Sequence, residues 1–208
     1  MSLADFLKEQ PKPVQFEWAD MSKAQFEPVR SGLVDAIKHY QPNYSESHPK
    51  VIDQLTLYLM RSDKFEGDLN KGLVLYGPTG TGKTLTLQGF SLMMKYIHRK
   101  SLKIRSGIEI EKIMRDYTDE MRVFGYSCFG VDDLGEEHNS VKVYGTEINV
   151  GIEVLTMRHK AFIEKGYLTF CTTNLNRESL AEKYGPRIDS RLSEMFNFIV
   201  MKGKDHRR

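Results

Sequence analysis

The sequence lacks the features that mark secreted and membrane-spanning proteins. It has only two cysteines in 208 residues, Cys128 and Cys171, and each lies inside an apolar, strand-like run. Such cysteines are typical of buried, reduced thiols in a cytoplasmic protein, and they exclude a disulfide framework or a cysteine-based zinc site. The chain opens without a signal-peptide pattern and has no apolar run long enough to cross a bilayer, so we expect no membrane partner.

A strong charge of one sign is also missing. With 30 Lys and Arg against 28 Asp and Glu, the net charge is +2, which alone gives no argument for binding nucleic acid. The sequence has no internal repeats and no low-complexity tract. The hydrophobic content of 40% and the charged content of 28% are ordinary for a globular protein. A chain of this length can bury one core and carry a short appendage.

What the sequence does contain is a complete phosphate-binding pattern. Residues 77–84 read Gly-Pro-Thr-Gly-Thr-Gly-Lys-Thr, which matches G-x-x-x-x-G-K-[ST]. The apolar run Gly72–Tyr76 before it suits a buried parallel strand, and a helical pattern follows, which is the context that the pattern requires. The glycines let backbone N–H groups surround an anion, Lys83 reaches the outer phosphates, and Thr84 offers its hydroxyl to Mg²⁺. We therefore predict ATP or ADP with Mg²⁺ as ligands, bound by Gly77, Pro78, Thr79, Gly80, Thr81, Gly82, Lys83, Thr84 and Leu85.

A pair of carboxylates, Asp132 and Asp133, directly follows the apolar run 127–131. In a parallel sheet, the carboxyl ends of the strands meet at one edge, where ligands bind. We assign Asp132 to the magnesium ion, as in a Walker B motif, and Asp133 to the orientation or deprotonation of the attacking water. The alternative is an Asx turn that ends the strand, because Asp-Asp-Leu-Gly is turn-like. The following Glu136 and Glu137 fit a solvated loop.

Asn174 follows the apolar run 167–171, at what would be the same edge of the sheet. There its amide could contact the γ-phosphate or the attacking water. Equally, Asn174 or Asn176 could cap the helix that begins near Arg177. The spacing alone leaves both interpretations open.

Two parts of the chain differ in composition. Residues 1–47 hold four of the seven prolines and form a predicted N-terminal extension, with a helix at about 20–40 that Pro28 breaks or kinks. Residues 48–208 alternate apolar runs with helical patterns, which predicts one α/β domain with helices on both faces of a parallel sheet of about five strands. The predicted strands cover 72–76, 101–104, 127–131, 167–171 and 196–201. The predicted helices begin at Pro49, after the phosphate loop, at a Ser106–Glu109 capping box (reaching Met121) and at about Thr146 (ending at Gly166), with two short helices after Asn174.

Four segments occur in an order that resembles the AAA+ ATPases of the DnaC/IstB type, which are helicase loaders and transposition helpers related to the initiator DnaA. They are the phosphate loop, Val131-Asp-Asp-Leu-Gly135, Thr172-Thr-Asn-Leu175 and Tyr184-Gly-Pro-Arg-Ile-Asp-Ser-Arg-Leu192. The resemblance covers residues 50 to 201, and it implies a three-layer P-loop NTPase fold without a C-terminal helical lid.

The same resemblance places Asn174 at the sensor-1 position and Arg191 at the arginine finger, which in AAA+ proteins reaches the ATP of a neighbouring subunit. It implies a homo-oligomer in the ATP-bound form and, because the lid is missing, an ATPase that is weak alone and stimulated by a partner or DNA. The alternative is that Arg191 lies on a solvated helix face, paired with Asp189 or Glu194. The residues that would act in catalysis are Lys83, Asp133, Asn174 and Arg191.

The partners that the resemblance implies are a replicative helicase or a transposase. The N-terminal extension would bind that partner, unless it packs on the core instead. A helicase loader in DNA replication is the first expectation for the function, a DNA-bound transposition helper the second, and a small-molecule P-loop kinase the third. Single-stranded DNA is a further expected partner, because basic residues cluster in 95–105 and in the tail 202–208. An ordinary solvated helix end and tail would show the same clusters.

Overall fold

The structure is a computed structural model that describes residues 18–116, 124–125, 127–138, 141–143 and 146–203. The expectations for residues 1–17, for the stretch from Tyr117 to Met121 and for the basic tail after Gly203 lie outside the described residues. The helices are α1 (Phe26–Tyr40), α2 (Pro49–Leu59), α3 (Lys83–His98), α4 (Gly107–Asp116), α5 (Val150–Lys165), α6 (Arg177–Tyr184) and α7 (Pro186–Met195). The strands are β1 (Gly72–Tyr76), β2 (Lys103–Ser106), β3 (Phe129–Asp132), β4 (Val141–Val143), β5 (Thr146–Ile148), β6 (Thr169–Thr173) and β7 (Phe196–Val200).

Five of the strands form one parallel sheet in the order β2-β3-β6-β1-β7. Side chains alternate along β1, so that Leu73 and Leu75 belong to one core cluster and Val74 to the other. The first cluster packs α1, α2 and α3 against one face of the sheet, and the second packs α4 to α7 against the other. The predicted three-layer α/β fold with a parallel sheet of five strands is confirmed.

Several elements begin and end where local signals predict. β1 spans Gly72–Tyr76 as expected, and α2 begins at Pro49, whose missing N–H would have no partner in a first turn. The capping box at α4 forms in both directions, since Glu109 N–H donates to Ser106 Oγ at 3.2 Å and Ser106 N–H donates to Glu109 Oε2 at 2.8 Å. α5 ends at Gly166, which adopts a left-handed conformation with φ of 65°.

Pro28 does not break the first helix, contrary to expectation. α1 continues through it, because Pro28 lies in the first turn, where backbone N–H groups have no partner within the helix. Leu33 and Ile37 of this helix are fully buried in the core. The described part of the N-terminal extension therefore includes a helix packed on the core, which was one of the two alternatives. The domain boundary at residue 47 and a role in partner binding stay predictions.

The predicted helix start at Thr146 is wrong. Residues 146–148 form β5, which pairs antiparallel with β4 in a separate two-stranded sheet. α5 begins only after Asn149, whose side-chain oxygen accepts a hydrogen bond from Ile152 N–H at 3.0 Å. β2, β3 and β6 also begin two residues later than predicted. In β3 and β6 the ladder includes polar residues at the carboxyl end, with Asp132 opposite Ser106 and Thr173 opposite Tyr76.

The prediction that both cysteines are buried is confirmed. Both are buried and free, and burial raises the pKa of Cys128 to about 11 and raises that of Cys171 as well, so the thiols stay protonated. Within the described ranges, no helix combines the length and the apolar character that crossing a bilayer requires.

Arg158 on α5 is a fully buried cation that ties the sheet to this helix. Its guanidinium donates to the backbone oxygens of Phe124, Ser127, Tyr167 and Leu168 at 2.8 to 3.2 Å, and to Thr169 Oγ1 at 2.9 Å. Burial lowers the pKa of Arg158 to about 10, so it is still charged at neutral pH. Five neutral oxygens thus solvate the charge in place of water and hold together the starts of β3 and β6.

The first described residues are anchored to the far end of α3. Trp18 meets the ring of His98 edge-on at 4.7 Å, and the guanidinium of Arg61 lies 4.1 Å over the indole. His98 Nδ1 accepts a hydrogen bond from Ala19 N–H at 3.2 Å, while Nε2 donates to the backbone oxygen of Leu59 at 2.8 Å. This pattern needs the neutral imidazole, and burial lowers the pKa of His98 accordingly.

Candidate nucleotide-binding site

The phosphate loop leaves β1 and wraps around its own lysine. Gly77 has φ of 152°, and a Cβ there would lie 2.1 Å from the backbone oxygen of Met201, so only glycine fits. Lys83 Nζ donates to the backbone oxygens of Gly77 and Pro78, both at 2.8 Å, and to Asn174 Oδ1 at 2.7 Å. The ammonium is thereby fixed at the N-terminus of α3, where the helix dipole adds positive potential for an anion.

The two predicted magnesium ligands, Thr84 and Asp132, lie side by side. Thr84 Oγ1 donates to Asp132 Oδ1 at 3.0 Å. Hydroxyl and carboxylate oxygens suit Mg²⁺, which commonly takes one or two protein ligands together with phosphate oxygens and waters. In the part of the chain that the structure describes, no group of three or more His, Cys, Asp or Glu side chains is arranged to hold a metal ion. The donor set therefore fits a magnesium ion that arrives with a nucleotide.

Thr172 is a member of the site that the sequence analysis missed. Its side chain is fully buried, and its Oγ1 donates to Asp132 Oδ1 at 2.6 Å while accepting Asp133 N–H at 2.8 Å. Asp133 has φ of 55°, a left-handed conformation that Asp tolerates better than most residues. One hydroxyl thus fixes both acidic residues. The only sequence signal was a pair of threonines before Asn174, which does not reveal the partner of either hydroxyl.

A backbone turn begins at Asp133, because Glu136 N–H donates to the backbone oxygen of Asp133 at 3.1 Å, whereas the Asx turn considered as the alternative stays a prediction. Asp133 nevertheless lines the same cleft as Lys83 and Thr84. The turn and a role in catalysis are therefore compatible, and the role itself stays a prediction.

The sequence left open whether Asn174 or Asn176 caps the helix after β6, and the structure shows that Asn176 does. Asn176 Oδ1 caps α6 by accepting Ser179 N–H at 2.8 Å. Asn174 instead faces the cleft, where its Oδ1 accepts from Lys83 and its Nδ2 donates to Glu136 Oε1 at 2.6 Å. The amide therefore links the phosphate loop to the loop that follows β3.

Glu136 and Glu137, which the sequence suggested as solvated loop residues, have different environments. Glu136 lines the cleft beside Asp133. Glu137 is buried, and its two carboxylate oxygens accept from Tyr184 Oη at 2.5 Å and from Gly135 N–H at 2.8 Å. Glu136 can therefore act on a ligand, whereas Glu137 fixes the loop after β3 to the end of α6.

The cleft around these residues has a volume of about 920 Å³, enough for a nucleotide. All the predicted ligand residues from Thr79 to Leu85 line it, whereas Gly77 and Pro78 lie behind Lys83 and hold it by their backbone oxygens. A further wall was not predicted, because no motif marks the segment between α1 and α2. It is formed by Gln41, Asn43, Tyr44, Ser45 and Ser47.

Arg191, the predicted arginine finger, lies on α7 and does not line this cleft. Its Nη1 donates to Thr156 Oγ1 of α5 at 2.6 Å. The carboxylates considered as its partners are used elsewhere, since Asp189 pairs with Arg177 at 3.3 Å and Glu194 with His159 at 2.8 Å. The structure therefore separates Arg191 from the site in its own chain, and a role at a neighbouring subunit stays a prediction.

Comparison with known protein sequences finds no match. No protein-family model matches the chain, and no curated protein matches it at a significant level. The similarity to known proteins is therefore detected from the fold.

Solved structures with a similar fold do exist, and three of them show the extent of the similarity to this chain. The crystal structure of the DnaC helicase loader superposes with a TM-score of 0.58 at 18% identity, covering 82% of this chain and 98% of that one. DnaI gives 0.53 at 18% identity, covering 91% of this chain and 90% of the other. AMPPCP-bound DnaA from Aquifex aeolicus gives 0.55 at 15% identity, and the match spans 76% of this chain and 48% of DnaA. The resemblance to AAA+ proteins of the DnaC/IstB type is confirmed at the level of the fold.

Proposed function

We propose that this protein is an ATP-binding and ATP-hydrolysing AAA+ switch of DNA replication, acting as a DnaC-like loader of a replicative helicase in the cytoplasm. The observation that carries the proposal is the convergence of four predicted residues on one cleft. Lys83 contacts Asn174 at 2.7 Å, and Thr84 contacts Asp132 at 3.0 Å, although these residues are far apart in the sequence.

We propose a task for each of these side chains. Lys83 and the N-terminus of α3 bind the outer phosphates, and Thr84 and Asp132 would hold Mg²⁺. Such an ion would neutralise negative charge that develops on the phosphate oxygens. Asp133 orients and deprotonates the attacking water, and Asn174 positions the γ-phosphate between Lys83 and that water. Each of these residues would bind a phosphate or the metal ion, orient a reacting group or move a proton. Phosphoryl transfer to water requires these tasks.

The position of Arg191 supports a nucleotide site that is shared between two copies of the chain. Because it lies on α7 outside the cleft of its own chain, its guanidinium is available to complete the cleft of a second copy in an ATP-bound homo-oligomer. An arginine supplied in this way stabilises the transition-state charge. We therefore propose that the isolated chain hydrolyses ATP slowly and that assembly with a helicase partner or DNA stimulates it.

The fold neighbours favour the replication role over the alternatives. The DnaC neighbour is a helicase loader, and one DnaA neighbour is a replication initiator bound to AMPPCP and single-stranded DNA. An IstB-like transposition helper that regulates a transposase is the second candidate, since the sequence motifs suit it equally. Co-purification of the tagged protein with a hexameric helicase supports the first, and co-purification with a transposase supports the second.

Nucleotide binding and hydrolysis are tested by two substitutions with different expected effects. Lys83→Ala should weaken binding of a fluorescent ATP analogue by about tenfold to a hundredfold, because hydrogen bonds to charged groups are worth about 1.5–3 kcal/mol. Asp133→Asn should keep that affinity and lower phosphate release by about a hundredfold or more, as expected for the loss of a general base. The exposed Lys160→Ala is the control for a lost surface charge.

Two results would contradict the proposal. Wild-type hydrolysis by Lys83→Ala would mean that the cleft is not the site. Transfer of the phosphate to a nucleoside monophosphate or a sugar in preference to water would point to a small-molecule kinase instead.

A further inference from the structure

The nucleotide cleft carries one carboxylate more than the proposed chemistry uses. Asp132, Asp133 and Glu136 all line it, and among the described residues around it Lys83 is the only lysine or arginine. The proposed function gives the magnesium ion to Asp132 and the attacking water to Asp133. Glu136 has no task there, although a negative charge opposes the binding of phosphates. Its place in the cleft therefore calls for an explanation.

Asn174 connects Glu136 to the lysine that would bind phosphate. Its Oδ1 accepts from Lys83 Nζ at 2.7 Å, and its Nδ2 donates to Glu136 Oε1 at 2.6 Å. An ammonium can only donate and an ionised carboxylate can only accept, so these two partners fix the orientation of the amide. The acceptor end of Asn174 faces the ammonium, and its donor end faces Glu136.

This orientation of Asn174 does not suit a contact with a phosphate. The oxygens of an ionised phosphate only accept hydrogen bonds, so Asn174 can bind one only through Nδ2. That group is held by Glu136. A γ-phosphate that reaches Lys83 meets the acceptor end of the amide, and the amide has to turn away from Glu136 before it can donate to the phosphate. Glu136 and a γ-phosphate therefore compete for the same donor.

The backbone on both sides of Glu136 is anchored. Leu134 N–H donates to the backbone oxygen of Thr172 at 2.8 Å, and the backbone oxygen of Leu134 accepts from Thr173 Oγ1 at 2.6 Å. On the other side, Glu137 is buried and accepts hydrogen bonds with both carboxylate oxygens. Glu136 lies between these anchors with an exposed side chain, so we expect the side chain, and not the loop, to move when Asn174 is released.

We infer that Glu136 determines the preference of the cleft between a nucleoside triphosphate and a diphosphate, by competing with the γ-phosphate for Nδ2 of Asn174. A triphosphate must displace Glu136 to gain this contact, so its affinity is reduced by the strength of the bond that it breaks. A diphosphate has no γ-phosphate and leaves the bond in place. A ligand shifts an arrangement only by binding the two arrangements differently, and here the γ-phosphate supplies the difference. The inference rests on the proposed function, because it concerns the same cleft.

Isothermal titration calorimetry of the full chain with Mg²⁺ tests the inference, with AMPPCP as a triphosphate that is not hydrolysed and ADP as the diphosphate. Glu136→Ala should tighten AMPPCP binding by about fivefold, the size expected for an exposed charged contact, and should change ADP binding by less than about twofold. Glu182→Ala is the matched control, since Glu182 is exposed on α6 and does not line the cleft. It should change neither affinity.

A double-mutant cycle with Asn174→Ala separates competition for the amide from simple repulsion between charges. Without the amide, Glu136 and the γ-phosphate have no donor to compete for, so adding Glu136→Ala should give no further gain in AMPPCP affinity. The same gain in that background would overturn the inference, because the removal of a like charge would explain it.

Three other outcomes contradict the inference. They are an unchanged AMPPCP affinity in Glu136→Ala, an equal gain for ADP, and an equal gain in Glu182→Ala. Retained ADP affinity shows that each variant is folded. If the wild-type protein binds both nucleotides and hydrolyses ATP but Glu136→Ala leaves the preference unchanged, the inference fails and the ATPase proposal stands. If the wild-type protein binds neither nucleotide, both fail.

Discussion

Replacing Thr172 by valine is the sharpest test of how the acidic residues are positioned. The substitution keeps the shape of the side chain and removes the hydroxyl that donates to Asp132 Oδ1 at 2.6 Å and accepts Asp133 N–H at 2.8 Å. Asp132 keeps its second hydroxyl donor, Thr84. The left-handed backbone of Asp133 loses the side-chain acceptor that holds it.

The structure sets the size of the effect. A hydrogen bond to a charged group contributes about 1.5–3 kcal/mol, and a buried N–H left without a partner costs about 1–3 kcal/mol. Because Asp133 is only partly buried, water can reach its N–H, so we expect the total loss of unfolding free energy to be near 2–3 kcal/mol. A shift of Asp133 by about 1 Å would lower the turnover number by about a hundredfold.

Urea denaturation measures the loss of unfolding free energy, and steady-state phosphate release measures the loss of turnover. Thr172→Ser restores the hydroxyl and should recover most of both. Thr86→Val is the matched control, because Thr86 is equally buried and its hydroxyl has no hydrogen-bond partner among the described residues. If Thr172→Val is as stable and as active as the wild-type protein, this hydroxyl does not position the acidic residues.

Three further predictions concern other parts of the structure. Arg158→Leu should lower the free energy of unfolding by about 3–5 kcal/mol in urea denaturation, because the backbone oxygens around the guanidinium lose their donor. His98 should make the protein less stable in acid. Burial lowers its pKa from 6.5, so below that pH the folded state binds fewer protons than the unfolded state, and stability falls as the pH drops through the folded pKa. Thermal unfolding of wild type and His98→Gln at a series of pH values measures the difference. Arg191→Ala should lower ATP hydrolysis by about a thousandfold at high protein concentration without changing ATP affinity, as expected for an arginine finger.

Each of these predictions has a control. Arg158→Lys keeps a charge but has a single nitrogen, and it should recover only part of the stability. An identical loss of stability in acid for wild type and His98→Gln would contradict the role of His98. Thr156→Val removes the hydrogen bond to Arg191 but keeps the guanidinium. If Thr156→Val lowers hydrolysis as much as Arg191→Ala does, the arginine acts through packing and not as a finger.

The features that the sequence predicted are those with local signals. The phosphate loop, the start of α2 at Pro49 and the end of α5 at Gly166 each depend on residue types within a few positions, so pattern and position agree. The order of apolar runs and helices likewise predicted the parallel sheet, because such a chain can close a core in few other ways.

What the sequence did not predict depends on contacts between distant segments. Thr172 donates to Asp132 from a neighbouring strand. Arg158 donates to backbone oxygens, which every residue has, so the sequence does not mark them as its partners. The wall of the cleft between residues 41 and 47 has no motif, because its position follows from how α1 packs on α3. β5 was mistaken for the start of a helix, since a strand of three residues is too short to show a period.

The contacts of Lys83 have a consequence for how tightly a nucleotide is held. Three oxygens of the protein already accept from its ammonium, so an incoming phosphate must replace at least one of them and does not meet an unsatisfied charge. The affinity is then a difference between two well-solvated arrangements of the same lysine, and it is smaller than the strength of the new contact alone. The contacts that a phosphate replaces offset part of the cost of releasing it. When it leaves, Asn174 recovers its original partner, so the protein returns to a defined starting arrangement after each cycle.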